Sequence, residues 1–329
     1  MKLLVLNHQE VEEMLTMSEC IAVMEEALSA LARGEMHQPL RSMMRPDGAA
    51  GILGLMPAYR RGSAPLFGLK EICVFPGNPA RGLDSHLGAV LLHSGETGEL
   101  LAVMNASAIT AIRTAAVSAV ATKLLAREDA HTLALIGAGV QAETHLRSLS
   151  LVRDFREVRI FSRTRGKAEA VAQAFTTAQM HVVVTDDIEA AVRGADVVTT
   201  VTSSREPVIR LEWLAAGTHI NAVGSSIASA RELDSATMAA GLLFVDRRES
   251  TRNESGDFLM ARNEGAIGDD AIRGEIGELL TGQAEGRRSS NEITIFKSLG
   301  LATEDLAAAA FLYEKALAAG RGTLIDFHP

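Results

Sequence analysis

Apolar residues recur along this chain in two rhythms, and the change of rhythm divides it. Leu3–Leu6 is a short apolar run that reads as a first strand. Thr16 and Glu19 then form the Thr-x-x-Glu pattern of a helix start. Met17, Ile21, Met24 and Leu28 follow at the 3.6-residue period, a core face, until Gly34 offers a stop. Strand candidates come next at Gln38–Met44, Gly51–Met56, Gly68–Phe75, Gly88–His93 and Glu99–Met104. The segment from His93 to Gly98 supplies hairpin-type turn residues between the last two. Short, turn-linked strands with one helix predict an antiparallel sheet carrying that helix, an α+β unit.

The rhythm changes at Ala106. Residues 108–126 are Ala-rich, hold no Gly or Pro, and read as one long helix. Strands then alternate with helices. The strands are expected at Thr132–Ile136, Val158–Ser162, His181–Thr185, Asp196–Thr202, His219–Val223 and Leu242–Val245. The helices are expected near 141–152, 166–178, 187–194, 211–215 and 232–240. That alternation predicts parallel βαβ units. Residues 248–290 are Gly-rich and charged, with short helical pieces, and close the region. A last helix near 303–319 is apolar all round and stops at Gly320. Too apolar to stand in water, it is expected to pack back on the first domain and make that domain discontinuous. The expected architecture is α/β: a Rossmann-type dinucleotide-binding domain, 121–301, inserted into an α+β domain formed by 1–120 plus 302–329.

Composition narrows the class. Of 329 residues, 47% are hydrophobic and 22% charged, enough apolar surface to offset chain entropy, so a disordered chain is excluded. No apolar run is read as reaching the ~20 residues of a membrane span, and Leu3–Leu6 is too short for a signal-peptide core. Two cysteines make no disulfide framework, and a cytoplasmic location is expected. The net charge of −9, without a long basic block, argues against nucleic acid as a partner. The nine histidines show no paired-ligand spacing, and no metal is expected.

The clearest chemistry lies at Thr132-Leu-Ala-Leu-Ile-Gly137-Ala-Gly139-Val-Gln-Ala142, an apolar strand ending in G-x-G-x-x-A before a helix. Gly137 permits the tight turn, Gly139 lets a pyrophosphate approach the backbone, and Ala142 lets helix and strand pack closely. The pyrophosphate is expected on the amides of Gly137, Ala138, Gly139, Val140 and Gln141, at a helix N-terminus. The second strand of an NAD site commonly ends in a carboxylate that accepts from the ribose hydroxyls. Here it ends in Ser162-Arg163-Thr164-Arg165, with Lys167 close behind. Hydroxyls and cations without a carboxylate suit a 2′-phosphate, so NADPH is expected in preference to NADH.

The chain resembles the ornithine cyclodeaminase/μ-crystallin family along nearly its whole length. The resemblance rests on Gln38-Pro-Leu-Arg41, Gly54-Leu-Met-Pro-Ala-Tyr59, Gly68-Leu-Lys70, Ile109-Thr-Ala-Ile-Arg113-Thr-Ala-Ala116, Ile136-Gly-Ala-Gly-Val-Gln-Ala142, Ile220-Asn-Ala-Val-Gly224, Arg231-Glu-Leu-Asp234 and Phe296-Lys-Ser-Leu-Gly300. It implies that the α+β domain binds substrate and forms a homodimer, and that a nicotinamide cofactor lies in the cleft beside the inserted domain. It implies that Arg41, Lys70 and Arg113 receive the carboxylate of an α-amino or α-imino acid. Three cations set among apolar segments fit that role, because burying them is costly unless they meet an anion. Thr114 is expected at the cofactor phosphates. Val201, Thr202, Val223, Gly224, Ser298, Leu299 and Gly300 are expected around the nicotinamide, again by resemblance. His86 is read either as a pocket residue that relays a proton or as a strand-end histidine in a structural hydrogen bond.

The departures from the family pattern are informative. The cyclodeaminase branch carries an acid where this chain has Gly54, and an Asp where it has Ser225-Ser226. Without either carboxylate there is no evident anchor for a side-chain amine. The expected reaction is therefore hydride transfer to an α-imino acid (a ketimine), with Lys70 and Arg113 as the catalytic pair. The proton would come from Lys70, from water, or with an imine already protonated. Ornithine cyclodeamination, alanine-dehydrogenase-like reductive amination and non-catalytic NADPH binding are the alternatives.

Overall fold

The computed structural model describes residues 2–327. The chain divides into two units, one running through Arg113 and resuming at Leu301, the other spanning Thr114–Gly300. The first boundary falls inside a helix, before the expected division near residue 120, and the second at Gly300/Leu301.

The first unit holds strands β1 (Lys2–Leu6), β2 (Met36–His37), β3 (Ser42–Met44), β4 (Ile52–Arg60), β5 (Leu66–Val74), β6 (His86–Ser94) and β7 (Leu100–Asn105). Its helices are α1 (His8–Met14), α2 (Met17–Ala32) and the start of α3 (Ala106–Leu125). Neighbouring strands run in the order β1-β7-β6-β5-β4-β2, with β3 also paired to β4. From β7 to β2 every pairing is antiparallel, while β1 joins β7 in parallel.

Two elements differ from expectation here. Helix α1 was not foreseen; Asn7 and Glu10 build its N-terminus as a capping box. The strand expected over Gln38–Met44 forms only at Ser42–Met44; Pro39, without an N–H, lies in the stretch before it, and Gln38 Oε1 accepts from Thr303 N at 3.0 Å and Thr303 Oγ1 at 3.1 Å.

The second unit is an eight-stranded, wholly parallel sheet. In chain order it contains β8 (Thr132–Ile136), α4 (Val140–Leu149), β9 (Glu157–Phe161), α5 (Arg165–Phe175), β10 (His181–Val184), α6 (Ile188–Val192), β11 (Val197–Thr200) and β12 (His219–Ala222). It continues through α7 (Ser235–Ala240), β13 (Leu242–Val245), α8 (Arg248–Glu254), α9 (Gly256–Asn263), β14 (Ile272–Glu275), α10 (Ile276–Leu280) and β15 (Thr294–Lys297). The order is β10-β9-β8-β11-β12-β15-β13-β14. The direction of winding reverses between β8 and β11, the switch point where open α/β sheets bind ligands at the strand carboxyl ends.

Strands β14 and β15 lie in or just after the Gly-rich stretch and were not expected. The helix expected over 232–240 begins only at Ser235, capped by Asp234, which leaves Glu232 outside it.

The chain then returns to the first unit as α11 (Ala302–Ala319) and β16 (Thr323–Asp326), which pairs with β1. Gly320 ends α11 in the left-handed conformation at φ 62°. Helix α11 packs on α2 and on β4, β5 and β6. It comes so close to β5 that a Cβ at Gly68 would lie 2.9 Å from Leu306 Cδ1. One expectation on hydropathy is corrected: α3, at 20 residues, is long and apolar enough to cross a membrane, but most of it is buried inside the protein.

Candidate functional site

Strand β5 alternates buried and open positions, and Gly68, Lys70 and Ile72 share its buried face. The missing side chain at Gly68 lets α11 approach, which carries the first-turn acids Glu304 and Asp305 to Lys70. Lys70 Nζ lies 2.6 Å from Asp305 Oδ2 and 3.5 Å from Thr110 Oγ1 on α3. One turn further along α3, Arg113 donates from Nε to Asp305 Oδ1 at 2.9 Å and from Nη1 to Glu304 Oε2 at 2.7 Å. All four charged groups are buried: Lys70 is 3% exposed, Arg113 4%, Asp305 1% and Glu304 0%.

Burial pushes the Lys70 ammonium down to about 8; the Arg113 and Arg41 charges add to this, and Asp305 opposes it. His86, at the head of β6, is lowered by desolvation first and by the Lys70 charge second. Its Nδ1 is 2.9 Å from Ser85 Oγ, and its carbonyl accepts from Ser107 Oγ. The first unit therefore brings Arg41, Lys70, His86 and Arg113 into one electrostatic group. Sequence reasoning found these cations but missed the two carboxylates that hold them. Two adjacent acids opening an otherwise apolar helix were the available signal.

Gly54 lies on β4, also on the buried face. A Cβ there would be 3.1 Å from Met43 Sδ and 3.4 Å from Ile72 Cγ2. Where the cyclodeaminase pattern would set an acid, this chain sets a methionine sulfur.

In the second unit the expected cofactor residues gather at the carboxyl ends of five adjacent strands: β9 (Ser162, Arg163, Thr164), β8 (Gly137–Gln141), β11 (Val201, Thr202), β12 (Val223, Gly224) and β15 (Ser298–Gly300). Gly137 has φ +123°, and a Cβ there would lie 2.7 Å from Val201 O, so the turn demands glycine. No side chain caps α4, and a Cβ at Gly139 would meet nothing within 4 Å. Open space before an uncapped helix N-terminus is what a pyrophosphate needs, so these residues fit a dinucleotide. Arg163 is exposed. Arg165 is engaged by Glu169 at 2.9 Å and Asp186 at 2.6 Å, which removes it from the cations counted toward a 2′-phosphate. Thr114 is buried in α3, where its carbonyl accepts from Ser118 Oγ at 3.3 Å.

Behind the strand ends lies a buried network that sequence reasoning did not find. Glu232 Oε1 accepts from Thr202 N at 2.8 Å and Thr202 Oγ1 at 2.7 Å; Oε2 accepts from Thr200 Oγ1 at 2.8 Å, Gly224 N at 2.7 Å and Ser225 N at 3.3 Å. Asp257 Oδ1 accepts from the amides of Glu232 and Leu233, and its Oδ2 pairs with Lys297 Nζ at 3.0 Å. Lys297 also donates to the carbonyls of Ala222 and Ser225. The Ser225 hydroxyl, in turn, donates to Ala230 O. A Cβ at Gly224 would lie 2.2 Å from Thr202 O, so only glycine lets these loops meet. Asp246 fixes the last loop, accepting from Leu299 N at 2.6 Å and Gly300 N at 2.8 Å.

Comparison with known proteins identifies the family and matches the fold. The sequence model of the ornithine cyclodeaminase/mu-crystallin family matches residues 1–320. The ketimine reductase mu-crystallin of Mus musculus is 41% identical over 313 residues, covering 94% of this chain and 96% of that protein. The structure of Thermococcus litoralis Δ1-pyrroline-2-carboxylate reductase in complex with NADH and L-proline superposes with a TM-score of 0.94 at 37% identity, covering 98% of this chain and 100% of that one. An archaeal alanine dehydrogenase dimer with bound NAD gives a TM-score of 0.94 at 36% identity, with 100% of both chains covered.

Proposed function

This chain belongs to the ornithine cyclodeaminase/mu-crystallin family, and from that premise we propose that it is an NADPH-preferring reductase of α-imino acids, acting on cyclic imines that carry a carboxylate. The observation that carries the reading is the gathering of half-buried Arg41 with buried Lys70 and Arg113 in one electrostatic group. The imine carboxylate would meet these cations, which fixes the imine carbon for attack. Reduced nicotinamide, when bound, supplies the hydride to that carbon. The Lys70 ammonium, held near 8, gives its proton to the imine nitrogen, so C=N becomes CH–NH with atoms and charge in balance. Thr110 and Asp305 keep Nζ in place through that transfer.

NADPH preference is supported by Ser162, exposed Arg163 and Thr164, and by the lack of a carboxylate among them. Cyclodeamination is disfavoured because Met43 fills the place of the acid at Gly54 and the Ser225 hydroxyl is already bonded to a carbonyl. We also propose a homodimer built on the sheet face opposite α11. There Phe67 and Leu87 are 49% and 40% exposed, beside half-buried Leu53, Leu55, Leu69, Leu91 and Val103. A largely apolar face of this kind, with exposed Glu71 within it, marks an interface.

The test is direct. Purified protein with NADPH or NADH is offered Δ1-pyrroline-2-carboxylate, its six-membered homologue, pyruvate with ammonia, and L-ornithine. Net NADPH oxidation with a cyclic imine supports the proposal. Ammonia-dependent turnover of pyruvate selects the alanine dehydrogenase reading. Proline and ammonia from ornithine without net cofactor change selects cyclodeamination, and tight NADPH binding without turnover a non-catalytic role. Light scattering of wild type against Leu91→Glu tests the dimer.

A further inference from the structure

We propose that Asp305 is the positioning residue of this site: a single buried carboxylate that holds the Lys70 ammonium on one oxygen and the Arg113 guanidinium on the other, so that the proton donor and the carboxylate receptor are set by one group. The inference rests on the imine-reductase reading above and deepens it. Lys70 and Arg113 come from different elements, β5 and α3. Asp305, on a third element, touches both, at 2.6 Å and 2.9 Å. Its own place is set from either side: Gly68 permits the close approach of α11, and Gln38 holds the helix start through Thr303. Glu304, the preceding residue, takes the second nitrogen of Arg113 and fixes the rotation of the guanidinium.

The charges around Lys70 make this more than scaffolding. Arg113 on α3 and Arg41 before β3 both act against its positive form. His86 on β6 is lowered below its ordinary range and is neutral where Lys70 titrates. Cys20 on α2, near Arg113 and Glu304, is pushed up by burial and stays a thiol. Among the described residues Asp305 alone both pairs with Nζ and favours the ammonium. Without its charge, desolvation and two guanidiniums act unopposed, and the proton needed for transfer is lost at lower pH.

The test compares wild type, Asp305→Asn and Asp305→Glu by two readouts. The first is the pH dependence of kcat with a cyclic imine. Asp305→Asn should move the basic limb down by about one to three pH units, the range for removing one close opposite charge. It should also raise KM, because Arg113 loses its guide. Asp305→Glu should restore part of both. The second readout needs no turnover: calorimetric binding of pyrrole-2-carboxylate, a planar carboxylate without a basic amine, in the presence of NADPH. Its affinity should fall as Lys70 loses its proton, with the inflection displaced downward in Asp305→Asn by the same amount. Retained NADPH binding shows that each variant is folded. If Asp305→Asn is insoluble, the inflection in Asp305→Glu must still move downward. A uniform loss of rate with both inflections unmoved overturns the positioning role. Displaced binding inflections in a protein that reduces no imine would overturn the reductase reading and leave the role of Asp305 standing.

Discussion

Replacing Lys297 with methionine tests whether the buried network beneath the strand ends is held by charge. Lys297 is 0% exposed and pairs with Asp257 Oδ2 at 3.0 Å, while its remaining donors go to the carbonyls of Ala222 and Ser225. Methionine keeps most of the volume and removes the cation. Asp257 and Glu232 are then two buried carboxylates without a counter-charge. Breaking a buried pair from one side costs about 3–5 kcal/mol. At ~2–4 °C per kcal/mol for units of this size, the melting midpoint should fall by roughly 6–20 °C at pH 8. The loss should shrink on acidification, and the sign follows from Glu232. Burial raises its pKa, and Lys297 opposes that rise, so the variant's Glu232 is raised further. A folded-state pKa above the unfolded value means that stability is gained as pH falls toward the unfolded value near 4.3. Scanning calorimetry of both proteins at pH 8 and pH 5.5 measures the difference. A loss under about 2 °C at pH 8, or one that deepens at pH 5.5, refutes the reasoning.

Two further predictions concern the second unit. Arg163→Ala should weaken NADPH binding about 10- to 100-fold, the value of one charge-assisted contact to phosphate, and leave NADH binding within about twofold. Fluorescence titration with the two cofactors decides it, and equal losses for both refute the 2′-phosphate assignment. Acid should also destabilise the fold below neutrality. His145 and His219 are buried, and desolvation lowers them to about 4 and about 3. Their stabilising neutrality is complete above the unfolded value of ~6.5 and is lost as pH falls toward those folded values. At ~1.4 kcal/mol per unit, each contributes on the order of 3 kcal/mol of acid lability. Urea midpoints between pH 7.5 and pH 4.5 should drop in wild type and drop less in His145→Gln.

What could be read from the chain depended on whether a residue's partner was local. The turn Gly137–Ala142 was legible because its chemistry is all within one strand-to-helix step. Lys70 and Arg113 stood out because a charge in an apolar rhythm asks for an explanation. Glu304 and Asp305 did not, since acids in a first helical turn are ordinary complements of the helix dipole. Glu232, Asp257 and Lys297 come from three segments that only the parallel sheet brings together, and no spacing announces them. Gln38 shows the same limit inside one element. Its stretch was expected as strand, but the strand begins only at Ser42, and its amide oxygen is taken by α11, far along the chain. Local pattern specified the elements; contacts between distant segments specified which side chains face one another.

The two buried acids of the first site constrain what it accepts. Glu304 and Asp305 are already engaged by Lys70 and Arg113. A second carboxylate on the substrate would stand near the first in a buried setting. At ~7 Å from the first and an effective dielectric of ~20, their repulsion is about 2 kcal/mol, some 30-fold in affinity. A second ammonium fares no better, because both acids are already engaged by Lys70 and Arg113. The preferred imine should therefore carry its α-carboxylate as the sole charged group besides the reacting nitrogen. Competition against imine reduction measures this. L-proline should inhibit at concentrations roughly 30-fold below those of L-aspartate or L-ornithine, following the same energy. Equal inhibition by the three would show that the buried site does not discriminate against a second charge.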